Sequence, residues 1–169
     1  MRRAQADLEL DADPESVART IGLRMLEGAP RTRSELASAM ARKGVPDDAA
    51  AVVLERFVEV GLLDDAAFAT AWVDSRHRGR GLARRALANE LRRRGVDDET
   101  AGEALSSVSV DDEAVAADAL VRRRLRSMSG LSRQVKTRRL IAMLGRKGFG
   151  GSMAYQVVSA ALDDEGVAP

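Results

Sequence analysis

The chain repeats itself, and this limits the possible folds more than any other feature. Three segments open alike: Asp13-Pro14-Glu15-Ser16-Val17-Ala18, Asp64-Asp65-Ala66-Ala67-Phe68-Ala69 and Asp111-Asp112-Glu113-Ala114-Val115-Ala116. Each leads on to a second shared pattern: Leu36, Met40 and Gly44, then Leu87, Leu91 and Gly95, then Leu140, Leu144 and Gly148. A basic residue precedes each of those glycines (Lys43, Arg94, Lys147). The opening Asp and the first Leu are 23 residues apart in the first two segments and 29 in the third. The third copy therefore carries an insertion of about six residues, expected around Ser127 to Ser132. A unit near 50 residues has little area to bury alone. Three in a row can share edges and build a curved, elongated body.

Each unit reads as three short helices. The opening Asp is a good N-cap in every copy, and Pro14 fits the first helical position of the first. Thr32-Arg33-Ser34-Glu35 has the form of a capping box, and Lys43-Gly44 that of a basic last turn followed by a glycine stop. A third helix follows at Pro46-Asp47-Asp48, with equivalents at Val96-Asp97-Asp98-Glu99 and Gly151-Ser152. Val53, Phe57 and Val60 give it one apolar face. No period-2 run of β-branched residues suggests a sheet. The expected fold is all-α, with three tandem three-helix repeats: residues 13–62, 63–110 and 111–162. A charged N-terminal stretch, 1–12, is expected to fray, and an acidic tail covers 163–169.

Composition excludes several kinds of chemistry. Among the 169 residues there is no cysteine, so no disulfide frame, thiolate site or cysteine nucleophile exists. The single histidine, His77, lies between Arg76 and Arg78 without an orienting carboxylate, a poor general base. The acidic pairs Asp64-Asp65, Asp97-Asp98, Asp111-Asp112 and Asp163-Asp164 read as helix caps rather than metal ligands. No catalytic residue, metal or cofactor is expected. The longest uncharged run, Gly148 to Leu162, is too short to span a bilayer, and acids interrupt the N-terminus where a secretory signal would be apolar. A soluble, cytoplasmic, monomeric protein is the expectation.

The net charge of +1 conceals strong segregation. Residues 75–96 hold eight arginines and one acid, and residues 119–162 hold ten basic groups and no acid. Residues 97–118 between them hold eight acids and no base. Such blocks point to a polyanion or an acidic protein surface as partner. The arginines expected to form that basic face are Arg76, Arg78, Arg80, Arg84, Arg85, Arg92, Arg93, Arg122, Arg123, Arg126, Arg138 and Arg139.

Leu62 to Arg76, with Asp64, Asp65, Phe68 and Trp72, resembles the signature of the RecX family, regulators of the RecA recombinase. Arg33-Ser34-Glu35-Leu36 and Arg42-Lys43-Gly44 upstream, and Leu87, Leu91 and Gly95 downstream, extend the resemblance over about residues 16–162. It implies three tandem three-helix repeats that lie in the groove of the RecA–DNA filament and bridge protomers. It further implies inhibition of the recombinase, ATPase and co-protease activities of RecA in DNA repair, without catalysis. Single- or double-stranded DNA would then be met through phosphates. Two other readings of the residues stand beside it: a stand-alone helical DNA-binding module, and a helical scaffold for another acidic protein.

Overall fold

The structure is a computed structural model and describes residues 13–167. The expected frayed segment, 1–12, and the last two residues of the tail lie outside it. The described residues form nine α-helices and no strand. Repeat one holds α1 (Pro14–Gly28), α2 (Arg33–Arg42) and α3 (Asp47–Glu59). Repeat two holds α4 (Asp65–Arg80), α5 (Arg84–Arg93) and α6 (Asp98–Leu105). Repeat three holds α7 (Val110–Leu125), α8 (Arg133–Arg146) and α9 (Gly151–Val167).

Local signals explain most boundaries. Asp13 accepts the Ser16 amide, and Asp64 the Ala67 amide, so both aspartates cap as expected. Thr32 and Glu35 close the capping box of α2. Gly44, Gly95 and Gly148 end the second helix of each repeat with φ of 79°, 76° and 93°. Each second helix buries its apolar pair completely: Leu36 and Met40, Leu87 and Leu91, Leu140 and Leu144.

Several details differ from the sequence reading. Val60, expected on the apolar face of α3, is 49% exposed. Asp163 and Asp164, expected to cap a helix, lie near the end of α9. Asp111 does not cap α7: Ser109 does, in a box with Asp112, and Asp111 sits inside the first turn. The insertion in repeat three is divided between the 126–132 connection and an extra turn at the start of α8, since Arg133 precedes Leu140 by seven residues while Arg84 precedes Leu87 by three. The acidic segment from 163 is no separate tail within the described residues, because α9 runs unbroken through Asp163, Asp164 and Glu165. Those acids meet Arg133, Arg122 and Lys136.

The helices gather into two compact units. One contains repeat one, the start of α4 up to Phe68, and Arg93–Asp97; the other contains Ala69–Arg92 and everything from Asp98. The core of the first runs through Leu36, Met40, Val53, Leu54 and Phe57. That of the second includes Leu120, Val121, Leu140, Leu144, Phe149 and Val158.

Each unit contains one junction between successive repeats, and both junctions follow the same plan. In the first, Asp65 at the head of α4 accepts the Arg33 amide that opens α2, at 2.9 Å. The Arg94 carbonyl accepts the Thr32 hydroxyl at 2.6 Å, and Gly95 lies against Ser34. In the second, Glu113 near the head of α7 accepts the Arg84 amide that opens α5, at 2.8 Å. The Lys147 carbonyl accepts the Ala83 amide at 2.9 Å, and Gly148 lies against Ala86. Free amides at a helix start are thus satisfied by the following repeat.

Candidate partner-binding surface

The twelve arginines of the expected basic face divide by what holds them. Arg76 is a strut: its guanidinium lies 4.1 Å over Trp72, and both meet Glu90, at 3.9 Å and 2.8 Å. Arg122 is shared between Asp118 and Asp164, each at 2.8 Å, which holds its pKa above the ordinary arginine value. Arg92 lies 3.6 Å from Asp98, and Arg78 3.4 Å from Asp74. Arg85 reaches the Phe149 carbonyl. Arg80, Arg84, Arg93, Arg123, Arg126, Arg138 and Arg139 are exposed and make no ion pair among the described residues.

The signature residues hold the frame. Asp64 caps α4, Phe68 is buried, Trp72 is half-buried on Glu90, Leu87 and Leu91 fill the core, and Gly95 turns the chain. Burial raises the pKa of Asp65, and the Arg33 amide it accepts pulls the other way. His77 places Nδ1 2.9 Å from the Leu82 carbonyl, where it braces the end of α4.

At the second junction the charge is not balanced. Lys147 donates its ammonium to the Arg80 carbonyl at 2.6 Å. Its pKa is held below the usual lysine range, by partial burial first and then by Arg123 and Arg80. No carboxylate pairs with it among the described residues. Beside this cluster a groove of about 640 Å³ runs between the end of α4 and one face of α7. Arg78, Arg80, Arg123 and Arg126 rim it; Val115, Ala116 and Ala119 line it. Sequence reasoning did not find this groove, although one sign of it was readable: Glu35 has no acidic counterpart before Leu87.

Among the described residues no cluster of metal-ligating side chains exists, and no helix is long and apolar enough to cross a membrane. The fold first defines a class, the all-α proteins built of tandem three-helix repeats. Comparison with known proteins then narrows it. Residues 18–57, 64–105 and 111–158 match the first, second and third three-helix domains of RecX. The regulatory protein RecX of Thermobifida fusca is 53% identical over 150 residues, covering 89% of this chain and 81% of that one. That of Mycolicibacterium smegmatis is 46% identical, covering 94% and 88%. The crystal structure of RecX from Lactobacillus salivarius superposes with a TM-score of 0.79 at 19% identity, over 88% of this chain and 97% of that one. The chain belongs to the RecX family of regulatory proteins.

Proposed function

We propose that this chain binds the RecA–DNA filament and restrains RecA, lowering its ATPase, strand-exchange and co-protease activities in DNA repair. Family membership over nearly the whole chain is the observation that carries this reading. The unpaired arginines support it, because they leave cationic surface that the protein does not neutralise itself. The protein acts by binding alone, as a cytoplasmic monomer, and catalyses nothing. The repeats at 13–62, 63–110 and 111–162 are its working units. Exposed arginines such as Arg93, Arg123, Arg126, Arg138 and Arg139 meet acidic protein surface and the phosphates of single- or double-stranded DNA.

The test is the ATPase of RecA on single-stranded DNA, titrated with this protein. Inhibition at concentrations well below that of RecA is expected. DNA binding without an effect on RecA would favour a stand-alone DNA-binding module, and neither effect would favour a scaffold for another protein.

A further inference from the structure

The two junctions share a plan and differ in what fills them. In the first, Phe68 is 8% exposed, the Arg94 guanidinium lies 4.8 Å over its ring, and the Glu35 carboxylate lies 2.7 Å from that guanidinium. A ring, a cation and a carboxylate close it from within. In the second, the matched bonds Asp65 to Arg33 and Glu113 to Arg84 place Ala116 where the first has Phe68. The leucine register places Ala86 where the first has Glu35. Lys147 keeps the cation. Ring and carboxylate have both shrunk to methyl groups, and the cation remains, joined by Arg80 and Arg123. The groove described above shares Ala116, Arg80 and Arg123 with this junction, and Val115 on its lining is 70% exposed.

We propose that this groove takes an acidic peptide segment carrying a large apolar or aromatic side chain, which supplies in trans what Phe68 and Glu35 supply in the first junction. The proposal deepens the reading above and rests on it in treating this chain as a binder of acidic surface. The apolar anchor would lie on Val115, Ala116 and Ala119, and its carboxylates would meet the forks of Arg123 and Arg126, which suit planar oxyanions. Asp112 also lines the groove. It is engaged with Ser109, and about 16 Å of helix separates it from Arg123, so the peptide's acids belong at the other end. A nucleic-acid strand fits this groove less well: stacking of bases favours exposed aromatic rings, and the ring on its lining, His77, is half-buried and held at the Leu82 carbonyl.

The experiment is fluorescence anisotropy with the full chain and three labelled probes. One is a short peptide of glutamates and aspartates flanking a phenylalanine and a leucine. The second has serines in place of those two apolar residues, and the third is an oligothymidylate. The first peptide should bind about tenfold more tightly than the second. Val115→Gln, at an exposed position and without a change of charge, should weaken the first peptide about fivefold and leave the oligothymidylate unchanged. Ala86→Glu, which restores the internal carboxylate, should weaken the first peptide at least as much. Val60→Gln, at an exposed valine of the other unit, should do nothing. Circular dichroism should show unchanged helicity in all three variants. Absence of peptide binding, equal binding of the serine peptide, or a Val115→Gln effect equal on peptide and oligothymidylate would each overturn the proposal. The assay contains no RecA. A chain that binds the peptide and leaves RecA untouched therefore defeats only the functional reading; one that inhibits RecA and ignores the peptide defeats only this inference.

Discussion

Arg94 and Lys147 occupy matching places, one residue before the glycine that ends the second helix, and they have different fates. Arg94 is stacked on Phe68 and clamped by Glu35, its charge spent inside the protein. Lys147 meets a backbone carbonyl and two further cations. In both places a carboxylate accepts the first amide of the preceding repeat's second helix and the carbonyl before the glycine accepts a further bond, so the repeat architecture does not depend on that ion pair. What differs is the charge left over: the first junction is a closed strut, and the second holds a cation that no carboxylate among the described residues neutralises.

The glycines separate the two junctions most strongly. A Cβ at Gly148 would lie 2.6 Å from the Ala86 backbone nitrogen, an atom that cannot swing aside. At Gly95 the obstacle is the Ser34 side chain, and at Gly44 nothing lies within 4 Å. All three have positive φ. Gly148→Ala should cost about 3 kcal/mol or more, Gly95→Ala less, and Gly44→Ala about 1 kcal/mol from backbone strain alone. Urea unfolding of the three variants checks the order; equal costs would show that the junctions are not close-packed.

A smaller effect separates the two cations. Arg94→Ala removes a half-buried pair, in which Nε and Nη2 share the Glu35 Oε1, and a ring contact, and should cost about 1–2 kcal/mol. Lys147→Ala should be near neutral in the free protein, since it relieves like-charge contact. A similar loss in both would erase the distinction.

Lys147 also predicts a pH dependence. Its folded pKa is depressed, so between that value and the ordinary lysine value the unfolded chain binds more protons. The native penalty is complete below this interval, and stability should rise as pH climbs through it. Ala86→Glu should flatten the rise, as read by urea unfolding at stepped alkaline pH. The smallest effect belongs to Arg122→Ala, which loses two exposed ion pairs and should change stability by less than about 1 kcal/mol.

The sequence made the repeats, the caps and the buried leucine pairs legible, because these obey short spacings. Thr32 and Glu35 are three residues apart, and Leu36 and Met40 share a face. The register at the start of repeat three was not legible. Asp111-Asp112 looks like Asp64-Asp65, yet Glu113 takes the place of Asp65, and Ser109 supplies the cap. The pairing of the arginines was equally hidden. Arg94 finds Glu35 from 59 residues away and Arg122 finds Asp164 from 42, distances at which a charge pattern carries no information about contact.

The proposal assigns binding to the uncompensated cations of the second junction and not to the half-buried Arg94 of the first. The most direct measurement is the RecA ATPase on single-stranded DNA, titrated with the native chain, with Arg123→Ala/Arg126→Ala and with Arg94→Ala. The native chain should inhibit at concentrations well below that of RecA. The double variant should need about tenfold more protein, roughly 1.4 kcal/mol of lost binding, and Arg94→Ala should inhibit like the native chain once corrected for its folded fraction. Undiminished inhibition by the double variant, or a loss confined to Arg94→Ala, would contradict the account.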